Sequence, residues 1–202
     1  GTDTGSVKED VVASACGQLH VSDVDAGESK FIAVLNGKVP HSNATYSIDE
    51  SGHWSFNLGN AHQSLNKGEQ IQDYFEVQSI DGTTHRVYIN IEGTQDIPII
   101  TGSTTGSVTE DGTSTISGDL HINDIDWGQS GTKGTNYGQP VASDHGYGHC
   151  EIDSNGHWTF TLDQTNAKVQ ALGDGEHLSE TFTVHTIDGT AQQITITING
   201  TN

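Results

Sequence analysis

The chain has 202 residues, enough for one or two domains. Its 27 Asp and Glu stand against 7 Lys and Arg, a formal net charge of −20 at pH 7, which opposes nucleic-acid phosphates and anionic membrane surfaces. No apolar run approaches the roughly 18 residues that a spanning helix needs, so no membrane insertion by this chain is expected.

The chain opens without Met and without a charged-then-apolar leader, so no signal peptide is expected in it. It reads as a segment of something longer. In chain order, short runs with strand character fall near 5–8, 17–22, 30–35, 44–49, 53–58, 71–80 and 85–92. The last two alternate cleanly. Ile71, Asp73, Phe75 and Val77 fall on one side, and Val87, Ile89 and Ile91 repeat the pattern on the next strand. Ala-Gly, Ser-Gly, Lys-Gly and Asp-Gly pairs separate most of the runs. Trp54 and Phe56 alternate with His53 and Ser55, so Trp54 and its counterpart Trp158 are expected in a core rather than stacked on a sugar.

The second half then repeats the first. Gly5-Ser-Val-Lys-Glu-Asp10 returns as Gly106-Ser-Val-Thr-Glu-Asp111, and the Gly17–Gly27 stretch returns as Gly118–Gly128 at the same offset of 101. Ser51-Gly-His-Trp54 matches Asn155-Gly-His-Trp158 at offset 104, and Ile80-Asp-Gly-Thr83 matches Ile187-Asp-Gly-Thr190 at offset 107. The expected organisation is a first all-β domain over 1–98 and a second over 99–202, with a loop insertion near 131–149. About seven short strands per hundred residues predict two tandem immunoglobulin-like β-sandwiches.

Acidic residues recur where the strands end. Asp23 and Asp25 share a side at a strand exit, as do Asp124 and Asp126, and each pair could close on one ion. Asp81 and Asp188 sit in Asp-Gly turns, which are also ordinary hairpin chemistry. Calcium takes six to eight hard oxygen ligands, so a divalent cation is the expected counterion for so acidic a chain. Solvated acidic loops are the alternative reading.

The ordered motifs resemble the VCBS repeat: Thr109-Glu-Asp-Gly112, then Gly118-Asp-Leu-His-Ile-Asn-Asp-Ile-Asp-Trp-Gly128, Gly156-His-Trp-Thr-Phe-Thr-Leu162, Val169-Gln-Ala-Leu172 and Ile187-Asp-Gly-Thr190. The resemblance covers nearly all of both copies. It implies repeats found in tandem in giant bacterial adhesins of the RTX type, exported by type I secretion. A looser resemblance is to cadherin domains, which join end to end through Ca2+. That resemblance implies a junction ligand set of Glu9 and Glu69 from the first copy, Asp96 from the linker, and Asp124, Asp126 and Asp188 from the second copy. Gln95 stands where that pattern has Asn, and Asp10 is a further candidate. Asp23, Asp25 and Asp81 at one extremity, and Glu110 and Glu176 at the other, would be half-sites awaiting further neighbours.

The function these features imply is that of calcium-rigidified extender domains in a secreted, cell-surface bacterial adhesin. The linker 93–105, with Gly93, Pro98 and Gly102, would bend freely without the ion. The expected partners are neighbouring repeats of the same chain and, through other regions, a host or surface glycan or protein; the chain itself is expected to be monomeric. One alternative is direct carbohydrate or protein binding through 131–149, where Tyr137, Asp144, His145, Tyr147 and His149 lie; another is an accessory role beside a secreted hydrolase. No Ser/His/acid or Cys/His arrangement recurs, so no catalysis is expected. Asp144, His145 and His149 have metal-ligand side chains, but their Gly-rich surroundings oppose the helix their spacing would need. Cys16 and Cys150 lie in different copies and are expected as packed, free thiols. Trp127, in place of Ala26 beside the Asp-x-Asp turn, is expected to pack near the junction with the linker.

Overall fold

A computed structural model describes residues 1–25, 27–135 and 139–201. The chain divides into two units, Gly1–Gln95 and Asp96–Asn202. Segment 96–98 goes with the second unit, where the Asp96 amide donates to Asp126 and Pro98 is buried.

The first unit is built from β1 (Thr4–Lys8), β2 (Ser14–Gln18), β3 (Val34–Lys38), β4 (Thr45–Ile48), β5 (His53–Asn57), β6 (Gln70–Gln78) and β7 (Thr84–Glu92). One sheet runs β1-β7-β6 and the other β2-β5-β4-β3. β1 lies parallel to β7, whereas β6 and β7 form an antiparallel hairpin in full register from Gln70↔Glu92 to Gln78↔Thr84. The buried alternation is the one the sequence dictates: Phe75 and Val77 on β6, and Val87, Ile89 and Ile91 on β7, face inward against Trp54 and Phe56.

The second unit has β8 (Ile99–Gly102), β9 (Thr105–Thr109), β10 (Thr115–Asn123), β11 (Val141–Ala142), β12 (Gly148–Ile152), β13 (His157–Leu162), β14 (His177–His185) and β15 (Ala191–Asn199). Its sheets run β14-β15-β9 and β11-β12-β13-β10-β8. Each unit is a β-sandwich, and no helix occurs among the described residues. Trp54 and Trp158 are the centres of the two cores. Each meets a phenylalanine edge-on at 5.8 Å (Phe75 and Phe182), and each indole N–H reaches a backbone carbonyl, of Thr2 at 2.7 Å and of Ser103 at 2.8 Å.

Opposite each indole the sheet needs a residue without a side chain. A Cβ at Gly118 would lie 2.6 Å from the Trp158 ring, and one at Gly17 would lie 2.6 Å from Trp54. Gly118→Ala is therefore expected to cost about 1–3 kcal/mol by overpacking, read as a lower urea midpoint for the second unit. An unchanged midpoint would mean that the ring has room to move.

Several expectations need correcting. The strand expected at 17–22 lies at Ser14–Gln18, the stretch that pairs with β5 from Ser14↔Asn57 to Gln18↔His53; among the described residues no strand pairs with 20–22. The run expected at 30–35 becomes Val34–Lys38, since a register shift between Val34 and Gly37 moves the pairing on β4; Phe31 keeps only an isolated bridge to Ser79. Part of the linker 93–105 is sheet: Ile99–Gly102 pairs with β10, and β9 begins at Thr105, while 93–98 carries no strand. Cys16 is exposed on β2 rather than packed, while Cys150 is buried. Trp127 is 79% exposed rather than packed near the linker. Tyr137 lies outside the described residues.

Burial, with the carboxylates of Asp144 and Glu180 nearby, pushes the Cys150 thiol up to about 11. A thiol reagent is expected to label Cys16 alone in the folded protein and Cys150 only after denaturation. Equal labelling rates under native conditions would contradict this packing.

Candidate metal-binding ends of the two units

Within each unit the acidic residues gather at two ends. The hairpin end holds the turn after β6 or β14, and the exit end holds the residues after β7 or β15. The nine-residue strands between them span roughly 27–30 Å.

At the hairpin end of the second unit, the Asp124 carboxylate accepts from the Asp126 amide at 2.9 Å, and the Asp124 amide donates to Ser130 Oγ at 3.1 Å. Asp126 in turn accepts from the Asp96 amide at 3.0 Å. Asp124 is 7% exposed and Asp126 2%. Asp124 Oδ2 is buried without a hydrogen-bond partner. A buried carboxylate oxygen left bare is costly, and beside a second buried carboxylate the pair calls for a cation. Like charges about 4 Å apart repel by roughly 4 kcal/mol at an effective dielectric near 20. Hard oxygen donors of this kind fit Ca2+.

Asp188 lies at the same end of that unit. The segment after Ser130 is stitched to the β14–β15 hairpin through Ile187 N to Gly131 O, Lys133 N to His185 O and a bridge between Thr132 and Thr186. Its carboxylate is held within its own turn by the Thr186 hydroxyl, by Thr190 Oγ1 at 2.6 Å and by the Thr190 amide at 3.1 Å. Burial raises its pKa, but these donors outweigh it and leave the pKa below the ordinary value. Asp81 repeats the turn with Ser79 and Thr83, whose hydroxyls and amide lower its pKa.

The hairpin end of the first unit has the same scaffold in more exposed form. Asp25 N donates to Asp23 Oδ1 at 2.8 Å, and Asp23 N donates to Ser29 Oγ at 2.9 Å. Carboxylate oxygens of Asp23, Asp25 and Glu28 lie within 4.8 Å of one another. Glu28 was missed in the sequence, because the first turn after Asp25 reads as solvent-facing loop. Its spacing of three from Asp25 was the available signal.

The exit ends match between the units. In the first, fully buried Glu9 accepts from Thr94 N at 3.0 Å, Asp10 accepts from Thr94 Oγ1 at 3.3 Å, and Glu69 accepts from Asn66 N at 3.2 Å. In the second, Glu110 accepts from Thr201 N at 2.9 Å, and Glu176 from Gly173 N at 2.9 Å. Glu110 is 3% exposed, and its Oε2 is buried without a hydrogen-bond partner. Asp10 and Asp111 both take left-handed φ (57° and 51°), a conformation Asp tolerates, which turns the chain beside the buried glutamate. Glu69 and Gln95 are exposed.

The β11–β12 turn of the second unit is organised around a carboxylate that the sequence did not flag. Glu180 is fully buried and accepts from Ser143 Oγ at 2.6 Å, Tyr147 N at 2.9 Å, His145 N at 3.0 Å and Thr181 N at 2.7 Å. Burial pushes its pKa up, yet these donors hold it below the ordinary glutamate value. The only hint was an acid at a core-facing position of an alternating strand, the place Asp73 takes in the first unit. Among the described residues no metal-sized group includes Asp144, His145 or His149. Asp144 instead accepts from Thr181 Oγ1 at 2.7 Å.

A search of curated proteins returned no match. The fold is similar to that of protocadherin gammaB7 EC3–6, seen in a cis-dimer structure, with TM-score 0.52 and 17% identity over 98% of this chain and 46% of that one. It is also similar to PcdhgB3 EC1–4, with TM-score 0.50 and 15% identity over 100% of this chain and 49% of that one. The chain therefore spans about half the length of these structures. Residues 95–200 match the family model of the bacterial cadherin-like domain. That match takes in more than half of the sequence, and the chain belongs to the bacterial cadherin-like domain family.

Proposed function

We propose that this chain is a pair of calcium-rigidified extender domains from a secreted, cell-surface bacterial adhesin, of the VCBS-repeat and RTX kind that its motifs resemble. Cadherin-like domains as a class are extracellular adhesion-type modules that bind calcium. The observation that carries the reading is Asp124, buried with one oxygen bare beside the equally buried Asp126.

Chain continuity supports a shared junction. Thr94 is bonded to Glu9 and Asp10, Asp96 is bonded to Asp126, and the two residues are two apart in sequence. Two peptide units reach at most about 7 Å, so both acidic sets are anchored to one short stretch of backbone. Glu9, Asp10, Asp96, Asp124 and Asp126 are the proposed ligands, with Gln95, Glu69 and Asp188 in supporting places. Ca2+ held there would neutralise the acids and fix the direction in which one unit leaves the other. The partly exposed group Asp23, Asp25 and Glu28, with Asp81 in the hairpin turn of the same unit, would serve a preceding repeat in the same way, and Glu110 with Glu176 a following one.

Calorimetric titration of Ca2+ into the intact chain is expected to show saturable binding that Asp124→Asn with Asp126→Asn removes. No heat, or equal heat from the double variant, would sink the reading.

A further inference from the structure

The outward positions of a half-buried sheet are not dictated by the core, so a difference there between matched strands is a separate choice. In the second unit the outer face of β14 and β15 carries short polar residues: Thr181 opposite Thr195, flanked by Ser179 opposite Thr197 and Thr183 opposite Gln193. The same places in the first unit hold Tyr74 opposite Tyr88, Gln72 opposite Asn90 and Glu76 opposite Arg86. The two tyrosine rings lie 6.2 Å apart, tilted by 48°. The Arg86 guanidinium sits 4.4 Å over the Tyr74 ring, and its Nε donates to Glu76 Oε1 at 2.9 Å. Tyr74 is thus half-covered, while Tyr88 remains 36% exposed. Gln72 Nε2 donates to Asn90 Oδ1 at 3.0 Å, a bond that fixes both amides and leaves the Asn90 NH2 and the Gln72 carbonyl to meet other groups.

Charge narrows what this face accepts. Glu76 is matched by Arg86 and Glu92 by Lys8 at 2.6 Å, so the face is locally neutral in a chain of net charge −20. A strongly charged partner gains nothing there, and a neutral one is not repelled. An open aromatic ring with a held guanidinium and a fixed amide pair beside it matches the chemistry of a sugar. The C–H face of a pyranose stacks on the ring, and the hydroxyls at its rim meet planar donors and acceptors. Along β7, Arg86 to Asn90 covers roughly 13 Å, about two to three linked pyranose rings. We propose that this face of the first unit binds a neutral glycan of pyranose rings with equatorial hydroxyls, such as a β-1,4-glucan. Tyr88 stacks on one ring, Arg86 donates to hydroxyls on one side, and the Gln72–Asn90 pair meets those on the other. The site uses neither the insertion 131–149 nor calcium, so it stands or falls apart from the reading above.

The test is an NMR titration of the intact chain with cellohexaose, in EDTA. Amide shifts that saturate below about 10 mM sugar are expected, centred on 72–76 and 86–90. Tyr88→Thr, which copies Thr195, is expected to weaken binding at least tenfold, and Arg86→Gln, which copies Gln193, at least threefold. Each variant takes the residue that the second unit already carries on the same strand, so loss of folding in one leaves the other to decide. Absence of saturable shifts, shifts centred elsewhere, or parent affinity in a folded variant would overturn the proposal. Shifts of the same residues that grow with protein concentration in the absence of sugar would also overturn it, because a second copy of the chain would then be what covers the face.

Discussion

Saturating Ca2+ is expected to raise the melting temperature of this chain by roughly 10–20 °C for each site filled. At a hundredfold excess over the dissociation constant, one site adds about 2.7 kcal/mol, and each kcal/mol moves a domain of about a hundred residues by some 4–8 °C. The variant Asp124→Asn sharpens the expectation through its sign. An amide oxygen can still accept from the Asp126 amide, while one of two buried like charges is gone. In EDTA the variant should melt at or above the parent temperature, and in Ca2+ well below it. A carboxylate serving only to cap the turn would give the reverse pattern in EDTA, with the variant less stable.

Glu180→Ala is expected to destabilise the second unit by about 3–4 kcal/mol. It removes the acceptor for three amides and one hydroxyl, and each such bond is worth roughly 1 kcal/mol net. The same carboxylate fixes the pH dependence. Its folded pKa lies below the ordinary glutamate value, so its contribution is fully present above that value and is lost as the pH falls through the folded pKa. The parent should therefore lose stability on acidification more steeply than the variant. Asp188, also lowered in the fold, shifts both proteins alike. Parallel stability curves for parent and variant between pH 5 and 3 would show that Glu180 does not hold the loop.

The two-sandwich fold was legible because alternation on 71–78 and 85–92, and its repetition, leave one way to bury Phe75, Val87, Ile89 and Ile91. Strand boundaries were less legible. Leu19 and Val21 alternate like a strand, but alternation alone does not say where pairing stops: among the described residues β2 ends at Gln18, whereas β10 continues to Asn123 against β8. The acidic ends were legible from the recurrence of Asp-x-Asp and Asp-Gly. Which acids are buried was not, because burial of Glu9 and Glu110 follows from left-handed turns at Asp10 and Asp111. Glu180 was opaque for a related reason. Three of its four partners are backbone amides, two of them in the β11–β12 turn, and amides carry no sequence signature.

Small-angle scattering of the intact chain, with Ca2+ and with EDTA at equal ionic strength, addresses the central claim most directly. Bound ions should give one extended form with a well-defined maximum dimension, and chelation a broader, on average shorter, distribution. Superimposable curves would contradict calcium as the element that stiffens this pair of domains.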